Sequence, residues 1–242
     1  MGKIPSAFTE TAKRRVFGRR LGRPMGQSRQ AAIDDVLPAL TLTESDVAKE
    51  RALPPSALFA DAARDVVLEI GFGNGEHLKE MMVKRPDRNY IGAEPFINGM
   101  SAFLKSVSDM SHGNIRVWMD DAVTMVRSFT DESLSAIYIL NPDPWPKKKH
   151  HKRRIVRAET LAEYHRVLKP GGRLVMATDV DDLAEWMVTE TINHGGFEWQ
   201  AERSSDWKTM PNDWFVTTRY AAKGVAAGRT ETYLLFKKQS NS

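Results

Sequence analysis

From residue 66 to residue 194 the chain alternates five times between short apolar runs and longer stretches with helical periodicity. This alternation constrains the fold more than any other feature of its 242 residues. The apolar runs cover 66–70, 89–94, 115–119, 134–140 and 173–178, and the helix-like stretches cover 77–84, 98–110, 122–129, 155–167 and 183–194. Strands separated by helices pair in parallel, because each helix returns the chain to the same edge of the sheet. The expected architecture is therefore α/β, with a mostly parallel, doubly wound sheet covered by helices on both faces. Two more runs, 197–203 and 231–238, have no helical stretch between them. They predict a C-terminal antiparallel hairpin and seven strands in all. A short apolar pattern over 31–42 predicts one further helix, ahead of a linker at Pro54-Pro55.

Charge divides the chain further. Residues 1–30 hold eight Lys or Arg against the single acid Glu10, and residues 147–157 hold seven with no acid. With a net charge of only +4, the remainder is strongly acidic. Two concentrated basic patches on an acidic body point to a polyanionic partner. Residues 1–30 are polar, basic and without sustained periodicity, and are expected to form a mobile arm ahead of a single domain at 31–242. No apolar run is long enough for a membrane span, and no secretory signal precedes the domain, so no membrane association is expected. The absence of cysteine excludes disulfides and thiolate zinc sites and fits a cytoplasmic protein. The six histidines show no ligand spacing, and no metal is expected.

In doubly wound sheets ligands bind beyond the carboxyl ends of the strands, beside the first of them. That first turn reads Glu69-Ile70-Gly71-Phe72-Gly73-Asn74-Gly75-Glu76. Its glycines permit a tight turn and close backbone approach. A dinucleotide site needs a further glycine where Glu76 stands. Glu69 would also repel a pyrophosphate while attracting an ammonium group. The turn thus favours S-adenosylmethionine over a nicotinamide dinucleotide, with Gly71, Gly73 and Gly75 approaching the ligand. Glu94, at the end of the second strand, can accept two ribose hydroxyl protons. Asp121, after the third, either accepts from the adenine amine or caps the next helix.

The fourth strand runs into Asn141-Pro142-Asp143-Pro144-Trp145-Pro146 and then directly into the densest positive charge of the chain. Prolines fix the backbone where the sheet presents its functional edge. This stretch strongly resembles the bacterial tRNA (guanine-N7-)-methyltransferase family, whose hallmark is Pro-Asp-Pro-Trp followed by a Lys/Arg-rich segment. The resemblance extends from about Arg14 to Lys238 and includes Glu69-Ile70-Gly71-Phe72-Gly73, Asp121-Ala122-Val123, Thr178-Asp179 and Thr218-Arg219-Tyr220 with Gly224. It implies a Rossmann-like class I methyltransferase fold, S-adenosylmethionine as cofactor, and tRNA as partner, with guanosine 46 of the variable loop as target. It further implies cofactor contacts from Glu69, Glu94, Asp121 and Asp143, with Asp143 also catalytic. Lys147, Asp179 and the segment of Thr218, Arg219 and Tyr220 would bind substrate. Ala221 and Lys223 depart from the family pattern, which usually has an acid and an arginine there.

Guanine N7 is already a free acceptor, so no general base is required. Asp143 would stabilise the positive charge that moves onto the base, or grip the N1 and N2 hydrogens. Trp145 would stack on the base or pack as a pocket wall. The arm and residues 147–157 would clamp phosphates, setting register rather than sequence choice. An amino-group methyltransferase is the nearest rival, but its motif lacks an acid between the two prolines. A non-catalytic RNA-binding module is the other. The expected assembly is a monomer or homodimer with no obligate protein partner.

Overall fold

A computed structural model describes residues 20–22, 24–211, 224, 226 and 228–240. Seven strands form one sheet: β1 (Val66–Ile70), β2 (Asn89–Ala93), β3 (Ile115–Trp118), β4 (Leu134–Leu140), β5 (Leu168–Thr178), β6 (Phe197–Trp199) and β7 (Thr232–Lys238). Their spatial order is β3-β2-β1-β4-β5-β7-β6. Pairings from β3 through β5 are parallel, while β7 runs antiparallel to both β5 and β6. The expected α/β sheet and its C-terminal hairpin are therefore present. The order reverses at β1, which has β2 on one side and β4 on the other, and the crevice of such a sheet opens there.

Seven α-helices are described: α1 (Gln27–Asp35), α2 (Leu37–Leu40), α3 (Glu76–Lys84), α4 (Ile97–Val107), α5 (Ala122–Ser128), α6 (Ala158–Val167) and α7 (Asp181–His194). Strand residues alternate between two cores. Leu68, Ile137 and Ile139 join Phe129, Tyr164 and Met187 beneath α5–α7. Val67, Ala136 and Tyr138 face Met81, Met100 and Phe103 beneath α1–α4. Such two-sided burial is why these strands read as near-continuous apolar runs. Truncating Phe103, which is fully buried, would cost about 3–5 kcal/mol.

Several boundaries differ from the sequence expectation. The helix expected over 31–42 begins earlier, at Gln27, and breaks at Val36 before α2, which carries Pro38 in its first turn. That start lies inside the expected arm, whose residues 1–19 and 23 fall outside the described residues. α6 starts at Ala158 rather than 155, because the Arg157 N–H donates to Thr160 Oγ1 at 3.1 Å and the Thr160 N–H donates back to the Arg157 carbonyl at 3.0 Å. β6 ends at Trp199 because Asp206 accepts from the N–H groups of Glu202 and Arg203 and turns the chain away. Among the described residues no helix is long and apolar enough to cross a membrane, and no cluster of side chains could hold a metal ion.

Candidate active site

A cavity of about 470 Å³ opens at the carboxyl ends of β1–β4, where the strand order reverses. It brings together Glu69, Gly71, Gly73, Glu94, Asp121 and Asp143 from the residues singled out in the sequence. The turn after β1 holds Gly71, Gly73 and Gly75 in the left-handed region, with φ of 73°, 58° and 76°. Gly75 does not line the cavity. Its role is packing, since a Cβ there would meet the Phe103 ring at 2.3 Å. The first turn of α4 is held as closely, and a Cβ on Gly99 would lie 2.5 Å from the Gly73 carbonyl oxygen.

Each acid of this wall is already engaged. Glu94 Oε2 accepts from the Gly73 N–H at 2.7 Å, and Oε1 accepts from the Phe96 N–H at 2.8 Å. Burial nonetheless outweighs those donors and pushes the Glu94 carboxyl up to about 7, with Asp143 and Glu69 adding to the rise. Glu69 is buried, and its Oε2 lies 2.8 Å from Nδ1 of the equally buried His77 on α3. Sequence reasoning missed His77, because nothing in its spacing from Glu69 marks a pair. Asp121 is the N-cap of α5, its Oδ1 accepting from Val123 N–H at 3.0 Å and its Oδ2 from the Thr124 hydroxyl at 3.2 Å. The capping alternative is thus realised while the side chain still faces the cavity. Asp120 beside it pairs with Arg20 at 3.4 Å.

The loop after β4 is built the other way round. Asn141 and Trp145 both have positive φ, 48° and 43°, bracketing Pro142-Asp143-Pro144. Non-glycine residues in this region carry a cost of order 1–3 kcal/mol and persist only where surroundings hold them. Here the Asn141 N–H donates to the Ala177 carbonyl at 2.8 Å, and its Nδ2 donates to Glu231 Oε1 at 2.7 Å. Arg154 Nε donates to the Pro144 carbonyl at 2.9 Å. By contrast the Asp143 carboxylate has no hydrogen-bond or ion-pair partner among the described residues. It is open to the cavity, yet the surrounding walls thin its hydration and raise its pKa.

The basic run does not act as one patch. Lys147, Lys148, Lys149 and Lys152 are exposed along a 3₁₀ turn at Lys148–Arg153. Arg154 is 2% exposed, pairs with Asp182 and lies 4.9 Å over the Trp186 ring. It therefore leaves the group expected to clamp phosphates, because a buried guanidinium engaged by a carboxylate and an aromatic face cannot also reach solvent. Arg157 is tied to the Lys152 carbonyl and to Glu159. Arg153 stacks 5.0 Å from the Trp145 ring, and His150 meets that ring edge-on. Local desolvation and the surrounding cations lower the His150 pKa, which favours a neutral imidazole. Asp179 and Lys147 do not line the cavity. Asp179 lies after β5, where Oδ2 accepts from Arg229 Nε at 2.8 Å and a Cβ on Gly224 would clash with it. Thr218, Arg219 and Tyr220, with Ala221 and Lys223, lie outside the described residues.

A family model described as "Putative methyltransferase" matches residues 63–234. The tRNA (guanine-N(7)-)-methyltransferase of Agrobacterium fabrum is 42% identical over 220 residues, covering 91% of this chain and 93% of the relative. That of Rhodospirillum rubrum is 37% identical over 236 residues, covering 98% and 91%. Among solved structures, the 16S rRNA methyltransferase KamB superposes with a TM-score of 0.53 over 75% of this chain and 95% of that one. At 14% identity this likeness concerns the fold alone.

Proposed function

Because this chain belongs to the tRNA (guanine-N(7)-)-methyltransferase family, we propose that it transfers the methyl group of S-adenosylmethionine to N7 of a guanine in tRNA, with guanosine 46 of the variable loop as target. One observation carries the reading: a single cavity joins a wall of carboxylates to a held loop that presents an unpartnered Asp143.

The wall suits such a cofactor by its chemistry. Carboxylates match an ammonium group and a ribose diol, and they disfavour a pyrophosphate. Glu69, Glu94 and Asp121 would hold the ligand's ammonium, ribose and adenine, each using acceptor capacity left over from its internal bonds. The glycine turn lets the backbone come close without a side chain in the way. When bound, S-adenosylmethionine supplies an electrophilic methyl group on a sulfonium centre.

The chain's own residues do the rest. Guanine N7 needs no deprotonation, so Asp143 does not serve as a base. Its carboxylate faces a base that becomes cationic on N7 methylation, and opposite charges attract across the cavity. The held loop keeps the carboxylate where that charge develops, and alignment of this kind supplies up to roughly 7–11 kcal/mol of barrier lowering. The base must leave its stack to enter the cavity, since the major groove of duplex RNA hides N7. Exposed Lys147, Lys148, Lys149 and Lys152 lie beside the cavity and suit the phosphates of the strand.

Purified protein given bulk tRNA lacking N7-methylguanine and labelled S-adenosylmethionine should place the label on N7 of a variable-loop guanine, mapped by nuclease digestion and mass spectrometry. Label on an exocyclic amine would mean an amino-group methyltransferase. Tight tRNA binding with no transfer would mean a binding module. Either outcome overturns the reading.

A further inference from the structure

Glu231 is a buried carboxylate, 8% exposed, at the entry to β7, and the reaction described above does not use it. Burial raises its pKa, and the nearby Asp179 raises it further. Among the described residues no cation pairs with it. Stability alone would favour a neutral residue there, since an uncompensated buried charge is costly. Its two oxygens are spent on two neutral donors. Oε1 takes the Asn141 side-chain amide at 2.7 Å, and Oε2 takes the Tyr233 hydroxyl at 3.3 Å.

The Asn141 contact spans 90 residues of sequence and crosses the end of β5, which lies between β4 and β7 in the sheet. Asn141 is the left-handed residue from which the Pro142-Asp143-Pro144 loop departs. Two residues before Glu231, Arg229 holds Asp179 at the end of β5. The short span 229–231 therefore grips the ends of β4 and β5 together, one through each side chain.

We propose that Glu231 is a positioning residue for methyl transfer, setting through Asn141 the backbone from which Asp143 is presented. The inference rests on the methyltransferase reading above. It assigns to the start of β7 a part in the reaction without contact with cofactor or base.

The test is steady-state kinetics on tRNA with calorimetric binding of S-adenosylmethionine. Glu231→Leu removes both acceptors, and kcat should fall roughly 10- to 100-fold, as expected when a reacting group is misplaced by about an ångström. The cofactor Kd and the KM for tRNA should stay within about threefold, because the loss is confined to the transition state. Glu231→Gln keeps a carbonyl oxygen for the Asn141 amide and should recover kcat to within about threefold of wild type. Asn141→Gly keeps the left-handed backbone but removes the amide. It should match Glu231→Leu, and the double variant should be no slower than either single one. An unchanged kcat in Asn141→Gly, a Gln variant as slow as Leu, or additive losses would each overturn the proposal. Should Glu231→Leu fail to fold, the Gln and Asn141→Gly variants still decide. Absence of N7-methylguanine with the wild-type protein would instead refute the methyltransferase reading, which keeps the two failures apart.

Discussion

On one wall of the cavity, at the ends of β1, β2 and β3, the side chains are tied down. Glu69 meets His77, Glu94 takes two backbone N–H groups, and Asp121 caps α5. On the opposite wall, after β4, the backbone is tied down and the Asp143 side chain is left open. Asn141 is held by Ala177 and Glu231, Pro144 by Arg154, and the Asp143 carboxylate by nothing among the described residues. The two arrangements fit two tasks. A ligand that rests in its site is best met by acceptors already in place, which lowers the ordering cost of binding. A charge that exists only during reaction is best met by a group whose strength is kept for that moment, aimed by a rigid frame.

The contrast predicts opposite outcomes for the two walls. Its largest effect is expected at Asp143. Asp143→Ala should reduce kcat about 10²- to 10³-fold, as removal of a transition-state electrostatic partner does. Its melting temperature should be unchanged, because the carboxylate stabilises no other group. Turnover at the wild-type level would remove Asp143 from the reaction.

A smaller effect is expected at Glu94. A ribose diol donates protons, so the ionised carboxylate is the binding form, and with its pKa at about 7 a proton competes below that pH. Cofactor affinity measured by calorimetry should therefore weaken by up to about tenfold per unit as pH falls below 7, and level off above it. Glu94→Gln should flatten the profile. A flat wild-type profile would detach Glu94 from ligand binding.

The smallest effect belongs to the exposed lysines. Replacing Lys147, Lys148 and Lys149 with Ala should reduce the salt slope of tRNA binding by about 0.7–0.9 for each phosphate no longer neutralised. Cofactor affinity should not move. An unaltered salt slope would place the tRNA elsewhere on the surface.

Much of this was legible in the sequence. Strand period, helix period and glycine punctuation are local, so β1, β4 and the turn after β1 could be placed residue by residue. The Asn141–Trp145 motif was equally plain, because proline and the acid between prolines leave few backbone choices. What stayed hidden depends on partners far along the chain. Arg154 reads as one more cation in a basic run until Asp182 and Trp186 are seen to enclose it. Glu231 reads as a strand-edge acid until Asn141 reaches it. His77 falls on the buried face of α3 by period, but only the fold shows that Glu69 is what it meets. Charge counted along the chain therefore overstates the cations offered to a polyanion.

The close approach between the turn after β1 and the start of α4 has an evolutionary consequence. The Gly99 Cα hydrogens face the Gly73 carbonyl across a gap too narrow for any carbon branch. Gly73 itself stands at φ 58°, where a side chain is strained. The two positions are thus locked to each other, and neither can drift alone. A lineage that had lost its methyl donor would find this corner of the pocket among the last places where substitutions could accumulate. Two intact glycines there would then testify to a fold still standing, and only the acids around them to a reaction still in use.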